Sequence, residues 1–256
     1  MIASLRLKPQ TIARRIHARD LGYVCSDGTI NFQSVKSANK YAKSVVVNAL
    51  NQEKPFERVV MIEGKRIMKQ VDGSSREVQV HLDPNTILCD TVVHGHPDLL
   101  GKGVTGSFSD HDVRALFYNP YDTIRTIKVY NSVGEVATMK KLGVSIGKAM
   151  GYSKECLDVV RSEHKKALEI IDDASKRFYN IGLSILKKLT NDDIFFNKFV
   201  KGLSSDNLME DMATKTSIYA NHIAMKNAAK KLNISYKTNF SNLNSSDLIQ
   251  IEDYMY

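Results

Sequence analysis

The sequence lacks tryptophan, has only three cysteines, and contains no long uninterrupted apolar stretch. No apolar run approaches the roughly 20 residues that a membrane-spanning helix needs, so we expect no transmembrane segment. The opening stretch "MIASLRLKPQTIARRIHARDL" is basic from the start and has no apolar signal-peptide core, which argues against secretion. The cysteines form no Cys-x-x-Cys pair, which argues against a disulfide framework and an all-cysteine zinc site. These absences predict a cytoplasmic protein.

The charge balance is basic, with 36 lysines and arginines against 28 aspartates and glutamates, and a net charge of +8. Such an excess favours anionic partners, either nucleic acid or an acidic protein surface. The alternative is that the lysines are spread over solvated helix faces. No basic cluster is interleaved with aromatic residues, and no nucleic-acid-binding motif is recognisable. The charge therefore leaves nucleic-acid binding open without supporting it.

Hydrophobic periodicity divides the chain into three parts. Residues 1–33 form an N-terminal segment of uncertain structure, with a turn and a short strand near its end. Residues 34–142 alternate helix, strands, helix and strands, which predicts an α+β domain. A glycine-rich stretch interrupts the pattern, and residues 153–256 predict an all-α C-terminal module.

The C-terminal module begins with a predicted long amphipathic helix. Apolar residues recur at steps of three and four from Leu157 to Leu189, and Ser153 is a suitable N-cap. The sequence does not decide whether this apolar stripe packs internally or against another molecule. A homodimer through the helix at 153–189 is one expectation.

Residues with chemical potential are concentrated in "HGHPDLLGKGVTGSFSDHD". His94 and His96 end a predicted strand and point to the same side of it. After a glycine-rich loop, Ser109 and Asp112 start a predicted helix. Each pair has a simpler explanation, because two histidines are weak evidence for a metal and Ser-x-x-Asp is close to a capping box. Together they offer two nitrogens and one carboxylate, the composition of an open catalytic zinc site.

The combination "HGHP…GSFSDHD" resembles the JAB/MPN (JAMM) metalloprotease motif, especially that of bacterial and phage-associated JAB-like domains. The resemblance covers about residues 54–142. It implies a JAB/MPN-like (cytidine-deaminase-like) mixed sheet flanked by helices. It also implies that His94, His96 and Asp112 bind Zn²⁺ and that Ser109 stabilises the oxyanion.

The same family motif includes an upstream glutamate that accepts a proton from water and returns it to the leaving amine. The resemblance favours Glu57, at the start of the first strand of that region. Glu63, in a predicted hairpin turn, is the second choice and Glu77 the third. For each of them, a solvated carboxylate at a strand edge is the alternative.

Two features depart from the family motif. The loop between His96 and Ser109 is longer than usual, and Gly95 replaces the asparagine, serine or threonine that is common between the histidines. Ser107 and Asp110 also offer a second register for Ser-x-x-Asp.

The resemblance implies a zinc-dependent hydrolase of amide or isopeptide bonds, a JAMM-type peptidase that could act as a deubiquitinase. Its substrate would be a protein, ubiquitin-like or acidic. Two other hypotheses stay open because a fold does not determine a function. One is a non-catalytic JAB-like scaffold that binds a partner, and the other is a basic nucleic-acid-associated protein.

Overall fold

The computed structural model describes residues 22–80, 83, 86–98, 107–201, 203 and 205–238. The predictions for residues 1–21 and 239–256 lie outside this range. The described elements, in chain order, are β1 (Tyr23–Val24), β2 (Ile30–Asn31), α1 (Val35–Leu50), β3 (Arg58–Glu63), β4 (Arg66–Asp72), β5 (Thr91–Gly95), α2 (Asp110–Ala115), β6 (Thr126–Tyr130), β7 (Glu135–Lys141), α3 (Ile146–Ala149), α4 (Lys154–Asn191), α5 (Asp193–Val200), α6 (Leu208–Lys231) and β8 (Ile234–Thr238).

The strands form one mixed eight-stranded sheet in the order β1-β2-β4-β3-β5-β6-β7-β8. Strands β5 and β6 are parallel, and the other neighbouring pairs are antiparallel. A parallel pair requires a crossover connection, and the connection between β5 and β6 contains α2. The chain therefore runs from the end of β5 directly into the segment that carries α2.

Each face of the sheet is covered by helices. Helix α1 packs on one face, in a buried cluster that includes Val60 and Val93. Helices α2, α4, α5 and α6 cover the other face, in a cluster that includes Val59 and Val92. Because side chains alternate along a strand, His94 lies on the same side as Val92, facing α2 and the C-terminal helices.

The predicted α+β class and several predicted elements are confirmed. Helix α1 begins after Ser34, whose side chain accepts a hydrogen bond from the backbone N–H of Ser37. Strands β3 and β4 form a hairpin whose turn includes Gly64, at φ 54°. Strand β5 ends among the histidines, and α2 begins after Ser109. Strands β6 and β7 form the second predicted pair.

The prediction that the C-terminal module is all-α is wrong. Helix α6 is followed by β8, which pairs antiparallel with β7 from Lys141 and Ile234 to Ala137 and Thr238. The five residues of β8 closely follow the helical pattern of α6, and the sequence pattern did not distinguish them as a strand. Its stability comes from pairing with β7, which is distant in sequence.

Helix α4 is the predicted long helix, and its apolar stripe packs inside the chain. Val160, Ile171 and Ile185 are buried, and the last two share a core cluster with residues of α6. Other parts of the same chain therefore cover the apolar stripe through which a homodimer was predicted. Other apolar side chains of α4, such as Tyr179 and Leu183, are exposed. A homodimer stays a prediction. Among the described residues, no helix combines the length and apolar character required to cross a membrane.

Candidate metal site

His94 and His96 lie at the end of β5, near the middle of the sheet. His94 is buried and lies opposite Val59 of β3. The backbone N–H of His96 donates a 2.8 Å hydrogen bond to the carbonyl of Tyr130. The two Nε2 atoms are 3.0 Å apart, and the rings meet edge to face. Neighbouring strands thus hold both imidazoles so that their Nε2 atoms converge.

Asp112 approaches the histidines from the first turn of α2. Its Oδ1 lies 2.9 Å from Nε2 of His94, and its Oδ2 lies 3.6 Å from Nε2 of His96. One ligand atom from each residue lies within 4.8 Å of the other two. His94, His96 and Asp112 could therefore hold a metal ion, and the predicted convergence of these side chains is confirmed.

Ser109 orients the carboxylate of Asp112 through a capping box. The backbone N–H and the hydroxyl of Ser109 both donate to Asp112 Oδ2, at 2.7 and 2.8 Å. The backbone N–H of Asp112 donates in return to Ser109 Oγ at 3.2 Å. The carboxylate of Asp112 therefore belongs to both the helix cap and the candidate ligand set, because Oδ2 completes the cap while Oδ1 faces His94.

Burial and charge act in opposite directions on the pKa values of these groups. Burial alone would raise the pKa of Asp112, but its attraction to His94 and hydrogen bonds hold that pKa well below the usual range. Burial alone would lower the pKa of His94, but Asp112 raises it overall. In the absence of a metal these two residues therefore favour an ion pair between the buried His94 and the half-buried Asp112. A divalent cation would compete with the imidazole proton for the same atoms.

Glu57 directly precedes β3, at the end of β3 that lies next to the histidines. It is half-buried, and it lies two residues before Val59, the residue opposite His94. Burial raises the pKa of Glu57 to about 7, with attraction to His94 opposing this effect and repulsion from Asp112 adding to it. A carboxyl that titrates near neutral pH is suited to accept and return a proton.

The other two candidate glutamates are less well placed. Glu63 is the last residue of β3, four positions beyond Val59, so the strand separates it from the site by about 13 Å. Glu77 is exposed in the segment after β4, and its charge only adds to the repulsion that acts on Glu57. The alternative pair, Ser107 and Asp110, does not point to the histidines in the same way, because the Asp110 carboxylate forms an ion pair with Arg114 along α2.

The chain matches no protein-family model, no curated protein and no solved structure. The likeness to the JAB/MPN family therefore rests on the residues of the sequence motif alone. Both the family and the activity stay predictions.

The structure explains why glycine stands between the histidines. A Cβ atom at Gly95 would lie 2.9 Å from both Leu50 Cδ1 and Val46 Cγ1 of α1. The asparagine, serine or threonine of the family motif would therefore collide with α1. The departure at Gly95 follows from the close packing of α1 against β5, which the sequence did not reveal.

Sequence reasoning also missed a buried polar cluster next to α2. Ser107 Oγ lies 3.1 Å from His222 Nδ1 and 2.7 Å from the hydroxyl of Tyr236. The Tyr236 hydroxyl lies 2.7 Å from the same nitrogen of His222. More than a hundred positions separate Ser107 from its partners, so no local pattern could have indicated the cluster.

Proposed function

We propose that this protein is a zinc-dependent hydrolase of amide or isopeptide bonds, of the JAMM type. The observation that carries the proposal is the convergence of His94, His96 and Asp112, with the half-buried Glu57 two residues before the position opposite His94. Two imidazole nitrogens and one carboxylate oxygen form a donor set typical of catalytic zinc, which leaves a coordination position open.

The residues of the chain divide the work of amide hydrolysis. A bound zinc ion would polarise the amide carbonyl and lower the pKa of the attacking water. Glu57 accepts a proton from that water as the water oxygen forms a bond to the carbonyl carbon. Glu57 then returns the proton to the amide nitrogen as the carbon–nitrogen bond breaks. The products are a carboxylic acid and an amine, and Glu57 returns to its initial state.

Ser109 has a different role in this proposal from the one that the family resemblance implies. Its hydroxyl donates to Asp112 Oδ2 at 2.8 Å, so it orients a metal ligand. To stabilise an oxyanion, the hydroxyl would first have to turn away from Asp112. The hydroxyl's bond to Asp112 is equally compatible with the alternative of a non-catalytic scaffold, in which the site has only a structural role.

For the substrate, we propose a protein that is ubiquitin-like or acidic. The net charge of +8 supports an acidic partner because opposite charges speed association. The cytoplasm is the proposed compartment, and the buried free thiols of Cys89 and Cys156 are compatible with a reducing environment. The same charge leaves nucleic-acid binding open as a second hypothesis.

The test combines zinc binding with turnover. Zinc is titrated into metal-free protein, and cleavage is followed with a fluorogenic peptide that is joined through a lysine isopeptide bond. We expect about one zinc ion per chain. Glu57→Gln should keep the zinc and lose turnover by roughly 100-fold or more. Glu63→Gln, at the far end of β3, is the matched control and should keep both zinc binding and turnover.

The possible results separate the hypotheses. A wild-type chain that binds zinc but cleaves no isopeptide or peptide bond would favour the scaffold. Absence of zinc binding would overturn the hydrolase. Equal turnover in Glu57→Gln and the wild type would remove Glu57 as the base.

A further inference from the structure

The helix that carries Asp112 is attached to the C-terminal part of the chain. Asn221 of α6 donates a 2.7 Å hydrogen bond from Nδ2 to the backbone carbonyl of Phe108, directly before the helix cap. Arg114, on the last turn of α2, forms an ion pair with Asp172 of α4. The two ends of α2 are thus linked to two different helices of the C-terminal part.

A further attachment includes two buried residues, Ser107 and His222. Ser107, Asn221, His222 and Tyr236 form what we call the anchoring cluster. Ser107 and His222 are 3% and 1% exposed, and they meet the Tyr236 hydroxyl in a triangle of short polar contacts. The ring of the buried Phe108 meets the ring of Tyr236 edge to face, at 5.7 Å between centroids. Polar contacts in a buried environment are costly to break, so this cluster holds its shape.

The histidines are held by other parts of the molecule. His94 lies on β5 between β3 and β6, and His96 is bound through its backbone to Tyr130 of β6. The candidate ligands therefore come from two parts of the fold. The sheet carries the two histidines, and helix α2, which must be positioned by contacts with other elements, carries Asp112. Helix α2 has only six residues, which is too short for a helix to be stable by itself.

We propose that the anchoring cluster positions Asp112 against the two histidines, so that α6 and β8 are part of the metal site although they supply no ligand. This inference rests on the metal binding of the proposed function. Coordination tolerates displacements of only about 0.2 Å. A small shift of α2 would consequently weaken metal binding even if the fold is kept.

The experiment compares two variants of the cluster with a matched control. Tyr236→Phe removes one hydroxyl from the cluster and keeps the ring, and Asn221→Ala removes the hydrogen bond to Phe108. Tyr41→Phe removes a hydroxyl on α1 that accepts a 3.2 Å hydrogen bond from Gln70, away from α2. For each protein, the zinc dissociation constant is measured by competition with a chelator. Hydrogen exchange of the metal-free protein is measured for residues 107–117 and for α1.

The expected result is selective. Tyr236→Phe and Asn221→Ala should weaken zinc binding roughly 10-fold, as is usual for residues that orient a ligand. They should also speed exchange in residues 107–117 and leave α1 protected. Tyr41→Phe should change neither zinc binding nor exchange in residues 107–117.

Zinc affinity within twofold of the wild type in both variants would overturn the inference. The same loss in Tyr41→Phe would also overturn it, because the effect would then be one of general stability. If the wild type binds no zinc, the proposed function fails, and hydrogen exchange alone decides the inference. In that case selective loss of protection in residues 107–117 supports the positioning role, and its absence contradicts it.

Discussion

Oδ1 of Asp112 lies 2.9 Å from Nε2 of His94, although one residue starts a helix and the other ends a strand. The other oxygen of the same carboxylate accepts two hydrogen bonds from Ser109. This single carboxylate thus joins the helix cap to the imidazoles. Changes at the cap, at the strand or at the carboxylate should all affect metal binding, but in different ways.

Removal of a ligand should abolish stabilisation by zinc. A ligand that binds only the folded state stabilises it, by about 2.7 kcal/mol at a concentration 100 times its Kd. We expect zinc to raise the Tm of the wild type and a chelator to reverse the rise. In Asp112→Ala the rise should disappear, whereas Asp110→Ala, on the same helix turn, should keep it. Calorimetry with and without zinc measures this, and a normal rise in Asp112→Ala would contradict the ligand assignment.

Ser109→Ala should weaken both the helix and the metal site. Loss of an N-cap costs about 1 kcal/mol, and here it also removes one of the two hydrogen bonds that Ser109 donates to the carboxylate of Asp112. Ser34→Ala removes the equivalent cap from α1 and should lower the free energy of unfolding similarly without affecting zinc. Urea unfolding and zinc titration make the comparison. If Ser109→Ala instead keeps its zinc affinity and loses only kcat, the serine is an oxyanion donor.

Gly95→Ala should destabilise the protein by about 1–3 kcal/mol because the new methyl group overpacks the core. Val46 is β-branched and cannot easily turn away. Gly182→Ala on α4 is the control, since its Cβ would lie 4.0 Å from Ala220, an ordinary contact. That substitution should stabilise the helix by about 0.5–1 kcal/mol. Opposite signs in urea unfolding are expected, and a neutral Gly95→Ala would contradict the packing argument.

Asp122 should make stability depend on acid pH. Asp122 and Lys141 are both buried and form an ion pair, and Asp122 also pairs with Arg125. Burial alone would raise the pKa of Asp122, but His164, whose Nε2 lies 3.9 Å from Oδ1, and the charge of Lys141 hold that pKa at about 2. An unfolded aspartate titrates near about 3.9, so the unfolded chain binds more protons between these values. The stabilisation is complete above about pH 4 and is lost as the pH falls towards 2.

Asp122→Asn tests this dependence. Asn tolerates the positive φ of 54° at this position, so the backbone should be kept. At pH 7 the variant should lose roughly 3–5 kcal/mol, because it breaks a buried ion pair. Its stability should also fall less than that of the wild type between pH 5 and pH 2. Asp158→Asn, in an exposed pair with Arg161, should behave as the wild type. Parallel acid dependence in all three proteins would contradict the role of Asp122.

Features that depend on neighbouring residues were predictable from the sequence. The cap at Ser34, the periodicity of α1 and α4, and the strand that carries His94 all follow from interactions within a few positions. The same holds for the Ser-x-x-Asp cap of α2, which the sequence suggested as one of two alternatives. In the structure the two alternatives occur together, because one carboxylate has two oxygens that serve different partners.

Features that depend on distant residues were not predictable. Strand β8 exists because β7 offers an open edge, and Gly95 is required because α1 packs closely against β5. The choice among the candidate glutamates also depends on the fold, and Glu57 stays the first choice. The register of β3 against β5 places Glu57 near the end of β5 that carries His94, and it places Glu63 near the opposite end of β5.

The sequence by itself determined which donor atoms are present and which short segments form helices and strands, because capping and periodicity act over a few residues. Only the tertiary structure decided that Asp112 meets the histidines, and that Ser107, His222 and Tyr236 contact one another next to the helix of Asp112. The physical reason is that a metal site requires atoms placed to within fractions of an ångström. Here that placement comes from the pairing of β5 with its neighbours and from the packing of α2 against α4 and α6.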